Sequence, residues 1–496
     1  EHAAPLYQTL PRCKAPLPPI GCVSGGKGYR EMLGAAFSPL DWLAVVHREL
    51  LLFSGLFFAF GSFDELAVDA LYLVGRLSGR IRTPVIARED VEGRDLSGPV
   101  AVIVPAWREE AVIGATLRHL LGAWPQKQVR LYVGCYANDP TTIEAAARAA
   151  RGHARARIVI HSALGPTTKA DCMNRLYRAI EEDERREAIR FRMVVMHDAE
   201  DMVDPAALPV FDAAIARAEL LQIPVLPSPQ ASSRWVAGHY MDEFAEAHAK
   251  ALVVRDWLGA GIPLAGVGCA IARGRLAILD AQSGGRGPFD ADSLTEDYEL
   301  GLKVAEAGAK VAFLRVRGDD GRLVATRAFF PDKLENAVRQ KTRWICGIAL
   351  QGWDRMGWSG SLIDGWMRLR DRRGPLAALV LFVAYLLLIL SGVLLAARQL
   401  GFASALALTP LTGSLLLANA ASLAWRSAWR GIFTAREYGA QEGVRAVLRI
   451  PIGNLIAILA GRRAIVQYVA SLRGAVLKWD KTEHSAHPSL ESGAPA

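Results

Sequence analysis

Polarity along the chain alternates between two regimes: long apolar runs without charge, and short apolar runs separated by stretches rich in Ala, Arg and Glu. Pro375 to Ala397 (PLAALVLFVAYLLLILSGVLLAA) carries no charge and exceeds the roughly 20 residues that cross a bilayer as a helix. It predicts a membrane span. Ala405 to Trp425 is a second uncharged run, weakened by Pro410 and Gly413, and is expected to pair with the first as a helical hairpin. Ile450 to Gly461 is shorter and holds Pro451 and Asn454, which suits a re-entrant or interfacial segment as well as a third span. Near the N-terminus, Leu50 to Phe63 predicts a further span with His47, Arg48 and Glu49 at the interface. Phe63, Leu66, Ala67, Ala70, Leu71 and Val74 then recur at helical spacing against Asp64, Glu65 and Asp69, predicting a separate amphipathic helix.

From Gly98 to about Leu350 the period changes. Val100 to Val104, Val129 to Val133, Arg157 to Ile160, Met193 to Met196 and Lys310 to Val316 read as strands, with helical stretches such as Ile143 to Arg151 and Met173 to Ala188 between them. Such alternation predicts an α/β body around a mostly parallel sheet, whose ligands bind at the carboxyl ends of the strands. The charge run from Glu181 to Glu187 reads as a solvated helix face. The chain thus divides into an N-terminal tail (1–37) expected to be disordered, a membrane segment with its amphipathic helix (38–82), a linker (83–97), the α/β body (98–350), interfacial helices (351–374), a C-terminal transmembrane region (375–470) and a C-terminal tail (471–496) without periodicity.

Composition narrows the compartment. Of 496 residues, 51% are hydrophobic and 22% charged, which excludes a disordered protein. The formal charge of +8, from 58 Lys+Arg against 50 Asp+Glu, admits nucleic-acid binding or cytoplasmic flanks of membrane helices. The arginines decide between them: Arg76, Arg80 and Arg82, then Arg368, Arg370, Arg372 and Arg373, then Arg426 and Arg430 crowd the ends of the apolar runs. These flanks, and the body between them, are expected to be cytoplasmic, with no nucleic-acid partner. Trp344, Trp353, Trp358 and Trp366 are positioned for headgroup level or for core packing. Cys13, Cys22, Cys135, Cys172, Cys269 and Cys346 form no zinc-like spacing and no C-x-x-C pair, so reduced thiols fit best. The first thirty residues hold no apolar core of a cleavable signal peptide.

His197-Asp198-Ala199-Glu200-Asp201 follows the strand Met193 to Met196 directly. Strand-end carboxylates one residue apart suit Mg²⁺ or Mn²⁺, which would neutralise a diphosphate; a solvated acidic turn is the plainer reading. Thr295-Glu296-Asp297 opens a helix after the Gly-rich stretch Ser283 to Gly287. Asp297 is a candidate general base, although a capped helix start with Thr295 as cap explains the same residues. Gln340, Arg343 and Trp344 share one helical face; arginine suits a phosphate and tryptophan a sugar ring. No Ser/His/Asp or Cys/His spacing calls for a covalent nucleophile.

In this order, Pro105-Ala106-Trp107-Arg108-Glu109, Lys169, Asp198-Ala199-Glu200, Thr295-Glu296-Asp297 and Gln340 to Trp344, followed by membrane spans, resemble the membrane-embedded, cellulose-synthase-like family 2 glycosyltransferases. Asn138-Asp139-Pro140, Ala265-Gly266-Val267-Gly268, Arg339 to Trp344 and Trp479-Asp480-Lys481-Thr482-Glu483-His484 have the look of the bacterial branch that includes the phage N4 adsorption protein B. The resemblance covers roughly Gly98 to Leu350 and the membrane pattern around it.

It implies an α/β, GT-A (Rossmann-like) cytoplasmic glycosyltransferase domain with α-helical transmembrane segments, in a bacterial cytoplasmic membrane. Its substrates would be a nucleotide-diphospho-sugar, with UDP-sugars foremost, and a growing polysaccharide or lipid-linked acceptor. Transfer would invert the sugar, once or processively, with a divalent cation (Mg²⁺ or Mn²⁺) as cofactor. Pro105 and Glu109 resemble the start of the nucleotide site, with Asp139 near the nucleobase and Lys169 assisting. Asp198 and Glu200 resemble the metal–diphosphate pair, and Asp297, beside Glu296, the base that deprotonates the acceptor. Gly266 and Gly268 would admit the acceptor, while Gln340, Arg343 and Trp344 resemble the motif beside the diphosphate and glycan. An outer-membrane or periplasmic export partner would fit the branch.

Three positions depart from the family pattern. Gly134-Cys135-Tyr136-Ala137 replaces a paired Asp at the end of the second strand, leaving base recognition to Asp139 or another group. Glu200 stands for the commoner Asp, with Asp201 beside it as an alternative ligand. Ala328 replaces an acid near Phe329-Phe330-Pro331. The rival to an enzyme is a non-catalytic membrane receptor or scaffold of an envelope export system on a degenerate transferase fold; a transporter needs more spans than are visible.

Overall fold

The computed structural model describes residues 38–358, 360–402, 408–475 and 486–491. The expected N-terminal tail, Cys13 and Cys22, and the Trp479 to His484 motif lie outside them. The first helix, α1 (Pro39–Leu77), begins at a capping box in which the Ser38 hydroxyl and the Asp41 carboxylate serve each other's backbone N–H groups. The expected short span and amphipathic helix are one 39-residue rod. Polarity changes at Phe63-Asp64-Glu65, but no Pro breaks the backbone there, so the helix continues.

Seven strands build the central sheet: β1 (Val100–Pro105), β2 (Val129–Tyr136), β3 (Ala156–His161), β4 (Met193–Met196), β5 (Leu220–Gln222), β6 (Cys269–Ala272) and β7 (Val311–Phe313), in the order β3-β2-β1-β4-β6-β5-β7. All neighbours are parallel except β6, which runs against β4 and β5. Both faces are covered, so successive residues of β1 enter different cores. Val100, Val102 and Val104 pack with Leu117, Leu120 and Phe211; Ala101 and Ile103 pack with Leu176, Tyr177 and Phe191. That explains why the strands read as unbroken apolar runs. Register sets Pro105 opposite Gly134 and Ile103 opposite Met196, bringing the carboxyl ends of β1, β2 and β4 together.

The supporting helices are α2 (Ile113–Ala123), α3 (Pro140–Ala150), α4 (Lys169–Glu187), α5 (Val236–Glu246), α6 (Glu296–Glu306) and α7 (Leu334–Trp344). The chain then forms α8 (Leu362–Arg372), α9 (Gly374–Gln399), α10 (Pro410–Tyr438), α11 (Ala440–Leu448) and α12 (Ile450–Leu472). Helices α5 and α7 each run on into a π-helical stretch, Ala247–Ala251 and Ile345–Gln351. Residues 83–97 are built into the body: Val85 and Ile86 pair with Arg317 and Gly318, and Arg88 meets Asp204 at 2.8 Å and Asp320 at 3.0 Å.

Three helices among the described residues are long and apolar enough to cross a membrane: α1, α9 and α12. The open reading of Ile450 to Gly461 thus resolves into a full-length helix. Helix α10 is not one of the three, and its partner differs from the expected hairpin. It packs on α1, whereas α9 packs on α1 and α12. Polar side chains make that choice, with Asn419 Nδ2 donating to the Gly55 carbonyl at 2.9 Å, Ser422 meeting Ser62 at 2.7 Å and Trp425 Nε1 donating to Asp69 at 2.8 Å.

Much of the arginine flank is neutralised inside the protein. Arg370 and Arg373 both pair with Asp64 and Glu65 of α1, and Trp366 Nε1 donates to Asp64 at 2.7 Å. Arg372 lies over the rings of Trp353 and Trp358, 5.4 and 4.8 Å from their centroids. The C-terminal tail is also partly ordered: Pro488–Glu491 form a helical turn against α2, and His487 is fully buried.

Candidate active site

At the carboxyl ends of β1, β2 and β4 lies a cavity of about 170 Å³. Pro105, Glu109, Lys169, Asp198, Glu200, Glu296, Asp297, Gln340, Arg343 and Trp344 all line it, gathered from across the body.

The acidic loop starts where the His197 N–H donates to the Ile103 carbonyl at 3.1 Å. Asp201 turns inward: its Oδ2 accepts the Asp198 N–H at 3.0 Å and meets His197 Nδ1 at 2.8 Å. Burial pushes the Asp201 carboxyl up, and the adjoining His197 opposes it. Asp201 is therefore the brace of the loop: it lines the cavity together with Asp198 and Glu200, but its Oδ2 is taken by His197 and the Asp198 N–H. Among the described residues no three His, Cys, Asp or Glu side chains form a cage sufficient for a metal ion. A pair of carboxylates is the donor set for a Mg²⁺-like ion that brings water and phosphate oxygens as its remaining ligands.

Lys169 begins α4 after the Thr168 cap. Its Nζ stands 2.5 Å from Asp198 Oδ1 and donates to the Gly266 carbonyl at 3.4 Å. Burial disfavours its charge, but Asp198, Glu296 and Asp297 outweigh that and hold it protonated.

Glu296 and Asp297 form the first turn of α6. Thr295 is not a side-chain cap; its hydroxyl is buried against Gly347, where any side chain would collide with it. Asp297 Oδ1 instead accepts the Tyr298 N–H at 2.8 Å. Burial, reinforced by the neighbouring Asp297 charge, pushes Glu296 up to about 7. Burial also raises Asp297, against the pull of Lys169. Gly266 has φ +78°, and a Cβ there would strike Asp297 Oδ2, so this glycine lets the backbone close on the carboxylate. Gly268 lies one step behind, against Thr326, and neither glycine is part of the cavity wall, which Ala265 and Val267 line instead.

Asp139 is likewise outside the cavity wall. Its carboxylate caps α3 and accepts the Arg108 N–H at 2.6 Å, holding Arg108 at φ 53°. It shapes the loop that carries Glu109. The wall on this side is aromatic instead: Trp107 meets Tyr136 edge-on at 5.1 Å, and Tyr136 stacks on His161 at 5.1 Å and 15°. Tyr136 of the Gly134 to Ala137 stretch lines the cavity here with Trp107, where Asp139 does not.

A second cavity of about 670 Å³ adjoins the first. Phe244, Ala265, Thr295, Asp297 and Trp344 line both. Its far side is made by Glu65 of α1, Met367 and Arg370 of α8, and Arg426 and Arg430 of α10. Asp297 therefore stands in the wall between a chamber lined by the acidic loop and one bordered by α1, α8 and α10.

Residues 98–347 match glycosyltransferase-like family 2. The chain is similar to the bacteriophage adsorption protein B of Escherichia coli strain K12 and the bacteriophage N4 adsorption protein B of E. coli O157:H7. Each is 33% identical over 470 residues, which is 90% of this chain and 62% of the relative. The chain thus spans less than two thirds of the length of these relatives. Among solved structures, a mannosyltransferase from Pyrobaculum calidifontis in complex with GDP-Man and Mn²⁺ aligns at 17% identity and a TM-score of 0.45, covering 82% of this chain and 98% of that one.

Proposed function

The chain belongs to glycosyltransferase-like family 2, and from that premise we propose that it transfers a sugar, with inversion, from a nucleotide-diphospho-sugar to a growing polysaccharide or lipid-linked acceptor at a bacterial cytoplasmic membrane. The observation that carries this reading is the position of Asp297 in the wall shared by the two cavities. The donor occupies the smaller one and the acceptor enters by the larger one, from the side of α1, α8 and α10.

Asp297 takes the proton of the acceptor hydroxyl as its oxygen attacks the anomeric carbon from the face opposite the leaving diphosphate. Arg343 and Lys169 supply positive charge to the departing diphosphate, where negative charge grows in the transition state. Asp198 and Glu200 would hold a divalent cation, Mg²⁺ or Mn²⁺, which when bound neutralises the same oxygens. Glu296, pushed up to about 7 by burial and the Asp297 charge, takes up a proton near neutrality and leaves Asp297 free to act as base. Gln340 and Trp344 orient the sugar and acceptor, and Pro105, Glu109, Trp107 and Tyr136 border the nucleotide. The three apolar helices span the membrane with the body on the cytoplasmic side, and an envelope export partner receives the product.

Membranes containing the wild-type chain or Asp297→Asn, incubated with radiolabelled UDP- and GDP-sugars with and without Mn²⁺ or Mg²⁺, test the reading. Metal-dependent incorporation lost in the variant supports it. Undiminished turnover by Asp297→Asn removes that residue from its role. No turnover of any donor favours the non-catalytic scaffold. Product length with excess donor separates processive from single transfer.

A further inference from the structure

The wall of the larger cavity carries more basic than acidic side chains, and the basic ones are of two kinds. Lys250, Arg255, Lys341, Arg370 and Arg373 each meet a carboxylate in an ion pair. Arg426 and Arg430, one turn apart on α10, do not. Among the described residues Arg426 has no acid within ion-pair distance, and the Glu65 carboxylate on which its charge acts is already held by Arg370 and Arg373. Arg430 comes no nearer than 4.0 Å to Asp242, which Arg449 holds at 2.5 Å. Its side chain is 20% exposed, and its Nε is buried without a hydrogen-bond partner among the described residues. Two guanidiniums at this spacing repel each other, and a largely covered charge without a partner is costly. An anion brought by a ligand relieves both, and a phosphate matches the guanidinium fork. The level of the pair is also informative. Leu423 and Trp425 of α10 are exposed just before Arg426, and Phe60 and Phe63 of α1 just before Asp64 and Glu65. The apolar surface ends where this cavity begins, which is the depth of a lipid headgroup.

We propose that Arg426 and Arg430 form a phosphate subsite of the acceptor chamber, and that the acceptor is a saccharide carried on a lipid phosphate or diphosphate. The proposal rests on the transferase reading and narrows its acceptor. The phosphate is a handle and not the nucleophile: an ionised phosphate oxygen needs no base, whereas Asp297 in the shared wall serves a hydroxyl. The lipid phosphate stays at α10 while a sugar hydroxyl of the same molecule reaches Asp297. A cavity of about 670 Å³ falls within the roughly 300–1,000 Å³ of ligand pockets. Neither arginine lines the smaller cavity, so the subsite belongs to the acceptor side alone. Arginines that merely flank a membrane helix would face the headgroups outward; Arg430 is instead mostly covered and lines the chamber.

The test uses the full chain in nanodiscs of dioleoylphosphatidylcholine, with empty discs as the blank and EDTA present to keep cations out of the donor site. Binding of farnesyl diphosphate, inorganic diphosphate and farnesol is measured for the wild type, Arg426→Gln, Arg430→Gln, Arg430→Lys and Arg462→Gln. Arg462 is exposed on α12 and lines neither chamber, so it reports on flank charge alone. The wild type should bind farnesyl diphosphate more tightly than either of the other two probes. Its dissociation constant should rise roughly ten- to a hundredfold in each glutamine variant on α10, the size of lost charge-assisted hydrogen bonds. Arg430→Lys, which keeps the charge and loses the fork, should weaken binding by less, and Arg462→Gln should leave it unchanged. Binding that survives both glutamine substitutions on α10, or that falls equally in Arg462→Gln, overturns the inference. Inorganic diphosphate held as tightly as farnesyl diphosphate overturns the lipid assignment. Transfer into lipid-extractable product with an unchanged acceptor KM in Arg426→Gln and Arg430→Gln removes the subsite and leaves the transferase reading intact. Arginine-dependent binding without turnover of any donor does the reverse: the transferase reading falls and the phosphate site stands.

Discussion

Lys169 Nζ lies 2.5 Å from Asp198 Oδ1, with the Gly266 carbonyl at 3.4 Å on its other side. One ammonium thus serves the acidic loop after β4 and the first turn of α6 together, since Glu296 and Asp297 also act on its charge. In a buried site such a shared cation couples the two acidic clusters, so altering it should disturb both.

The first expected consequence concerns pH. Lys169 holds the Glu296 and Asp297 carboxyls down, against burial that raises them. Glu296 still reaches about 7, and its protonation leaves Asp297 to act as base, so kcat/KM of the wild type should fall at lower pH, where Asp297, raised by burial, is protonated in turn. In Lys169→Met both carboxyls move further up, and the acid limb should shift to higher pH. A pH–rate profile that loses height but keeps its acid limb would separate Lys169 from the base.

Asp297→Asn retains shape and loses the proton acceptor. Turnover should fall roughly 10²- to 10⁴-fold, with nucleotide binding nearly unchanged. Gly266→Ala reaches the same end by geometry: at φ +78° its new Cβ strikes Asp297 Oδ2. It should lose turnover to a similar degree, while Gly365→Ala, on α8 where a Cβ meets nothing within 4 Å, should be silent. Steady-state kinetics of the purified variants check both.

Arg449 and Asp242 form a fully buried ion pair, with Nε to Oδ2 at 2.9 Å and Nη2 to Oδ1 at 2.5 Å, and Glu442 adds a contact at 2.7 Å. The pair ties the start of α12 to α5. Arg449→Met strands Asp242 and should cost about 3–5 kcal/mol, read as a lower melting temperature in detergent. The double variant Arg449→Met/Asp242→Leu should recover much of that loss.

His248 is buried with its Nδ1 accepting the Val225 N–H at 2.8 Å, and burial, reinforced by Arg315, drives its pKa down to about 3. The folded protein holds it neutral, whereas the unfolded chain protonates it near 6.5. Its contribution to stability is therefore complete above that value and lost as pH falls toward 3. Melting temperature should drop between pH 7 and 5, and His248→Gln, which keeps an acceptor without a titrating ring, should flatten that slope.

Local patterns foretold what local forces decide. The apolar runs of β1, β2 and β4 and the uncharged Pro375 to Ala397 act through burial over a few residues, so they are readable in order. The acids after β4 and at the start of α6 could be singled out because strand ends and helix starts are where a chain exposes polar groups. Sequence could not say which way each carboxylate turns. Asp201 faces inward because His197 and the Asp198 N–H take it, Asp139 is spent on α3 and Arg108, and Gly268 backs onto Thr326. Nor could it show Arg370 and Arg373 neutralised by Asp64 and Glu65, α10 choosing α1, or His487 buried beside His119 of α2. The amino-acid sequence alone determined the element types, the apolar helices and the ordered acidic motifs, because propensity and periodicity are short-range. Only the tertiary structure decided which groups face the two cavities, because a buried polar atom is directed by whichever partner, however distant in the chain, satisfies it.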